Sequence, residues 1–152
     1  MNRLRLLSVT GIALAGLLLA APSAPRPVPP TRITVYKDPN CGCCHQWVEY
    51  LRKHGFEVAV RDTSDMSGAK TTGRVPEKLQ TCHTGFVAGY VVEGHVPVAD
   101  IQRMLTQKPK IAGIAVPGMP VGSPGMEAGN RKDRYDVIAF NRDGSTRVFA
   151  RH

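Results

Sequence analysis

The sequence predicts an α/β domain with a mixed central sheet flanked by helices, and three observations predict it. Short runs of β-branched residues alternate with segments of helical periodicity, so strands and helices are interleaved along one chain. The first helix pattern follows the first strand pattern across a four-residue turn, and a second strand follows at once. Near the end lie an irregular Gly/Pro segment and two strand-like runs joined by Asp143-Gly144, an added loop and β-hairpin.

The elements read in order as follows. Ile33-Thr34-Val35-Tyr36 is a strand, and Lys37-Asp38-Pro39-Asn40 is a turn in which Asn40 is placed to cap a helix opening at Cys41. Trp47, Val48, Tyr50 and Leu51 recur at helical spacing, and Gly55 follows as a stop. Phe56 to Val60 alternates like a strand, which gives a β-α-β unit and a parallel pair. Ser64 and Asp65 offer a helix start, and Pro76 opens a short helical turn. Phe86 to Val92 reads as one buried strand, Glu93-Gly94-His95 as a tight turn, and Val96 as the start of a short return strand. Ile101, Met104 and Leu105 share one face of a helix over Val98 to Leu105. Val116 to Glu127 has neither helical nor strand period and is expected to be a loop. The resulting order, β-α-β-(α)-β-β-α, is that of a thioredoxin-like fold, in which a Cys-x-x-Cys opens the first helix as Cys41 and Cys44 do here.

The chain has 152 residues, room for one domain beyond its leading stretch. Residues 1–23 have the parts of a secretory signal peptide: Arg3 and Arg5, the apolar run Leu6–Ala20, then Ala21 and Ser23 as small residues before a cut. That run is about 15 residues, against roughly 20 for a comfortable membrane crossing, so cleavage is expected over an uncleaved anchor. Residues 24–31 form a stiff proline-rich spacer, and 32–152 the domain. The net charge of +8 is scattered among single basic residues, and aromatic residues are only 6%. Neither a basic track nor stacking groups are present for nucleic acid, so the charge reads as solubility.

Four cysteines in an exported chain ordinarily mean two disulfides, but Cys41, Cys43 and Cys44 lie within four residues. Adjacent cysteines pair poorly, and a staple to Cys82 would use one of three, so the cluster argues for chemistry. At a helix start, positions i and i+3 share a face, which brings Cys41 and Cys44 together. The free amides and dipole of that end favour thiolate, which either attacks disulfides or ligates soft metals such as Cu(I), Zn(II) or iron–sulfur clusters. Cys43 would scramble clean two-thiol exchange but add a third metal donor. Cys82 precedes the expected third strand, in a loop that faces Cys-x-x-Cys in thioredoxin-like folds. That loop usually carries a cis proline; here it reads Gln80-Thr81-Cys82-His83-Thr84-Gly85, with no proline. Cys82 is therefore a fourth candidate donor, its alternative being an apolar cysteine at a strand edge.

Among the histidines, His83 is the first candidate ligand, with His45 and His95 behind it; His54 and His152 read as surface residues. Met119 and Met126 sit in the Pro/Gly loop, where thioethers would either ligate or shield Cu(I), or plug the loop onto the core.

Together these segments resemble the CopG family of exported copper-resistance proteins. The resemblance rests on Lys37 to Cys44 (KDPNCGCC) with Trp47, Cys82-His83-Thr84, Gly89-Tyr90, Glu93 to Pro97 (EGHVP), Pro117 to Pro120 (PGMP) and Gly122 to Glu127 (GSPGME). It implies a periplasmic protein of copper detoxification whose cysteines hold several copper ions in a thiolate-bridged cluster, Cu(I) favoured, with passage between Cu(I) and Cu(II). A copper oxidoreductase is the enzymatic extension it leaves open, and periplasmic copper export or trafficking proteins are the partners it implies. The expected metal residues are Cys41, Cys43, Cys44, Cys82, His83, Met119 and Met126. The rival readings are a thiol–disulfide oxidoreductase using Cys41 and Cys44, and a zinc or iron–sulfur module.

Overall fold

The structure, a computed structural model, describes residues 30–152. The expected signal peptide at 1–23 and all but the end of the spacer at 24–31 lie outside the described residues. The element order is β1 (Thr31–Lys37), α1 (Gly42–Lys53), β2 (Phe56–Asp62), α2 (Ser67–Gly73), a 3₁₀ turn (Glu77–Leu79), β3 (His83–Val87), β4 (Tyr90–Gly94), α3 (Val98–Gln107), β5 (Gly113–Val116), β6 (Asp136–Phe140) and β7 (Thr146–Arg151). One mixed sheet runs β2-β1-β3-β4-β5-β6-β7. Its parallel pairs are β1 with β2 and β4 with β5; the other four are antiparallel. The expected order through α3 is met, and β5 to β7 extend the sheet beyond it.

The core follows from the alternation of each strand. On one face Ile33, Val35, Val87, Val92, Ile114 and Val116 pack with Trp47, Val48 and Leu51 of α1 and Ile101 and Met104 of α3. On the other face Val91, Ala115 and Phe140 pack with Val75 and Leu79. Trp47 is fully buried, and its indole N–H donates to the Val96 carbonyl at 3.0 Å, so burying the ring leaves no unpaired donor.

Three expectations need correction. The run Phe86 to Val92 is not one strand but the hairpin β3–β4, turning at Ala88 and Gly89, both with positive φ (46° and 85°). This is the backbone of a tight two-residue turn, which Ala-Gly signals far less openly than Asn-Gly. Val96 starts no strand: its N–H closes onto the Gly94 carbonyl at 2.8 Å, and Pro97 leads into α3. The irregular loop, expected to begin at Val116, begins one residue later, because Val116 ends β5. Gly113 permits that strand, because a Cβ there would run into the Val91 carbonyl oxygen of the neighbouring strand.

Candidate metal centre

α1 starts where Asp38 ends the chain's extended run. The Asp38 carboxylate accepts from Asn40 N–H at 2.7 Å, and its carbonyl accepts from Cys41 N–H at 3.1 Å. The cap is Cys41 and not Asn40: its Sγ accepts from the Cys44 N–H at 3.3 Å, the place an Asn or Ser oxygen would take. Cys41 is thereby held against a free helix-end amide, an arrangement that favours a thiolate once the sulfur is reduced. Cys41 and Cys44 are joined as a disulfide, and Cys43 Sγ lies 3.5 Å from Cys41 Sγ.

Cys82 arrives from the other side, just before β3. Because β3 pairs with β1, the loop entering β3 lies beside the turn leaving β1, and Cys44 Sγ is 3.7 Å from the Cys82 carbonyl oxygen. The donor atoms of Cys41, Cys43, Cys44 and Cys82 all lie within 4.8 Å of one another. Residues 38 positions apart in sequence thus meet in one sulfur cluster.

Two buried imidazoles adjoin it. Cys82 Sγ is 3.3 Å from His83 Nδ1 and 3.6 Å from His95 Nε2. His83 stacks on Trp47 with ring centroids 4.4 Å apart and meets the His95 ring edge-on at 4.9 Å. His95 Nδ1 is 2.8 Å from the Pro124 carbonyl oxygen. A carbonyl only accepts, so Nδ1 carries the proton and the Nε2 lone pair is turned to Cys82. Cys82, His83 and His95 form a second donor group sharing Cys82 with the first.

The electrostatics suit a cation. Burial, then the neighbouring Cys43, pushes the Cys82 thiol up to about 12, so without metal it stays protonated. Burial, then His95, drops His83 to about 3, and burial lowers His95 as well, so both rings are neutral and able to ligate. Soft thiolates with imidazoles at their edge are a donor set for Cu(I) and zinc, and a poor one for hard cations.

The Pro/Gly loop lies against the same helix end. Gly125 has φ +82°, and a Cβ there would stand 2.8 Å from Trp47 N and 3.1 Å from the Cys43 carbonyl oxygen. The loop is closed on itself by Gly122 N–H to the Met126 carbonyl (2.9 Å) and by Val121 N–H to Asp133 (3.1 Å).

A family model described as a protein of unknown function, DUF411, matches residues 79–126, which span Cys82, His83, His95 and the Pro/Gly loop. Two solved structures of copper resistance protein CopG, form 2 and form 1, are 47% identical to this chain, with TM-scores of 0.77 and 0.76. Each match covers 81% of this chain and 98% of the other. The chain belongs to the CopG family. No curated protein sequence matches it.

In this CopG family member the seven residues singled out from sequence are not all alike in placement. The four cysteines and His83 come together, as described above. Met119 is 42% exposed, and Met126 is partly buried in the loop. His45 is exposed; His54 packs on Tyr50, and His152 bonds Asp100 at 2.7 Å. His95, a lesser candidate by sequence, is fully buried against Cys82. Sequence reasoning passed over Pro124, whose carbonyl carries no side-chain signal. It also passed over Lys70 and Glu93, a buried ion pair (2.6 Å) joining α2 to β4. Their one signal is Glu93 itself, an acidic residue directly after the apolar Tyr90-Val91-Val92.

Proposed function

We propose that this chain is a copper-binding protein of copper resistance, exported to the periplasm after loss of residues 1–23. Residues 24–31 then serve as a spacer to the copper-binding domain. Cys41, Cys43, Cys44 and Cys82, in their reduced form, hold several copper ions in a thiolate-bridged cluster with Cu(I) favoured, and His83 and His95 lie at its edge. The observation that carries this reading is the convergence of four sulfurs within 4.8 Å of one another. Four thiolates that near, each able to bridge two soft ions, favour a compact multinuclear core. Membership of a family that includes copper resistance protein CopG supports the choice of copper over zinc. Passage between Cu(I) and Cu(II), and exchange of copper with periplasmic export or trafficking proteins, belong to the same proposal. Among the described residues no helix is long and apolar enough to cross a membrane.

The Cys41–Cys44 disulfide favours a second reading, a thiol–disulfide oxidoreductase in which Cys41 attacks and Cys44 resolves. Against it stands Cys43, whose sulfur 3.5 Å from Cys41 offers a competing partner at every turnover. One experiment separates the two. Anaerobically reduced protein is loaded with Cu(I), and its metal content and thiolate absorption are compared with those of Cys82→Ser, while insulin reduction is followed in parallel. Copper above one ion per chain, a large loss in Cys82→Ser and feeble insulin reduction are expected. Robust insulin reduction by copper-loaded protein, or unchanged copper in Cys82→Ser, would reject the cluster.

A further inference from the structure

Cys82 enters the sulfur cluster from a loop that contains no proline to fix it. We propose that Glu93 does this instead, as a positioning residue that clamps both sides of Cys82-His83 and so aims the Cys82 sulfur at the α1 cysteines. The proposal rests on the copper reading above for its purpose, though not for its first test.

The Glu93 carboxylate is fully buried and every near donor converges on it. Its Oε1 accepts from Thr81 N–H at 2.6 Å, Thr81 Oγ1 at 3.1 Å and Lys70 Nζ at 2.6 Å. Its Oε2 accepts from Thr84 Oγ1 at 2.7 Å. Thr81 and Thr84 are the residues immediately outside Cys82-His83, so one carboxylate holds the chain on both sides of that pair, in the loop at Thr81 and in β3 at Thr84. Charge-assisted bonds of this kind are shorter and stronger than neutral ones. Lys70, itself nearly buried, balances the charge and makes the carboxylate tolerable there. Gly94 completes the fit: a Cβ there would stand 2.9 Å from Thr81 Oγ1 and 2.7 Å from the Val116 carbonyl oxygen. A buried ion pair is poor evidence for stability, since apolar groups of similar size often serve as well. A carboxylate that also bonds Thr81 in the loop and Thr84 of β3, neither of them charged, answers better to placement.

The variant Lys70→Met/Glu93→Leu removes both charges together, leaving no lone buried ion. The first test uses no copper. In a Cys41→Ser/Cys44→Ser background only Cys43 and Cys82 remain, within reach of each other. Oxidised glutathione closes them: two thiols give up two protons and two electrons to form the disulfide, and two glutathione thiols leave. Loss of aim should slow closure about tenfold or more, since small misplacements of reacting groups cost up to about a hundredfold. Equal closure rates in folded proteins, checked by melting, would overturn the proposal.

The second test is a double-mutant cycle read by competition with a Cu(I) chelator. Lys70→Met/Glu93→Leu should weaken Cu(I) binding about tenfold in the parent, as loss of an orienting group does. In the Cys82→Ser background the same change should matter less than about twofold. Equal losses in both backgrounds, or none in either, would show that Glu93 does not act through Cys82. Should the double variant not fold, Thr84→Val removes one clamp bond, together with the Lys70 Nζ bond to Thr84 Oγ1 (3.3 Å), and no charge. It should show the same Cys82-dependent pattern at smaller size, and an effect indifferent to Cys82 would overturn the proposal equally. A parent that takes up no Cu(I) would defeat the copper reading alone, because the glutathione test still decides Glu93.

Discussion

The two ends of the sheet contribute to the candidate metal centre in different ways. The β1–α1–β3–β4 end supplies donor atoms: four sulfurs and two ring nitrogens, drawn from three short segments. The end built from β5, β6, β7 and the Pro/Gly loop supplies the Pro124 carbonyl that sets the His95 tautomer and the backbone at Gly125 that lies on α1. Donors need particular side chains, whereas what Pro124 and Gly125 deliver from the second end comes from main-chain groups. The first end should therefore control how much copper binds and how this depends on protons, and the second how firmly the donors are held.

The largest expected effect falls on the donor end and is a pH dependence. With its thiol raised to about 12, Cys82 keeps its proton throughout the neutral range and must lose it to ligate. Each unit of acidification should therefore weaken copper binding about tenfold on account of Cys82 alone. His83 and His95, already neutral, release nothing above about pH 6.5. The slope of log affinity against pH, from chelator competition between pH 6.5 and 8, should fall by about one in Cys82→Ser and be unaltered in His95→Gln. Stability runs the same way for a different reason. The His83 pKa is about 3 folded and about 6.5 unfolded, so between those values the unfolded chain binds the extra proton. Its contribution is whole above pH 6.5 and is lost as pH falls towards 3, which acid melting curves will show.

Much of the donor end was legible, and little of the other. Cys41, Cys43 and Cys44 are adjacent in sequence, and helix geometry fixes their neighbourhood whatever the rest of the chain does. Cys82 needed only the strand order, because β3 pairs with β1. The cap was misread, since Asn40 is the better capping type on average while Cys41 occupies the position that the Asp38 turn dictates. The β3–β4 turn escaped notice because Ala88 takes a left-handed conformation that its residue type disfavours. Strand β5, four residues long, depends on a backbone approach at Gly113 that no periodicity encodes. Glu93 and Lys70 are 23 residues apart, with nothing local to link them. Groups acting through the main chain or through long-range pairing leave the faintest trace in sequence.

A smaller effect is expected at Gly125, and it sharpens the contrast within the loop. Gly118 and Gly125 both have positive φ, at +76° and +82°, but a Cβ at Gly118 meets nothing within 4 Å. Gly118→Ala should cost about 1 kcal/mol, the conformational penalty alone. Gly125→Ala adds a clash with Trp47 N and the Cys43 carbonyl, so its cost should approach about 3 kcal/mol as the loop lifts from α1. Only the second should speed copper removal by a chelator. Equal melting shifts and equal copper retention in the two variants would mean that the loop's contact with α1 is incidental.

The smallest effect concerns Met119 and Met126, the residues of the second end with metal-binding side chains. Thiolate-bound Cu(I) at a half-buried helix start needs protection from water and oxygen, and the loop that reaches α1 carries both methionines. Met119 is 42% exposed at a left-handed residue (φ 47°), and Met126 is partly buried with its N–H bonded to the Ser123 carbonyl at 2.8 Å. Neither is a core plug of the kind Met104 is, fully buried among the apolar residues between sheet and α3. Thioethers that the core does not use, on a loop touching the centre, fit a role as weak donors or shields. Met119→Ala with Met126→Ala should therefore move the melting temperature little, since little buried apolar area is lost. Bound Cu(I) should oxidise faster in air and be stripped a few-fold faster by a chelator, well short of the roughly 10–100-fold cost of losing an orienting group. Met104→Ala makes the opposite control, a loss of about 2–5 kcal/mol in stability with oxidation of the folded, loaded protein unchanged. If the double variant instead behaves as a milder Met104→Ala, losing stability while its copper oxidises at the parent rate, the methionines serve packing and the loop shields through its backbone alone.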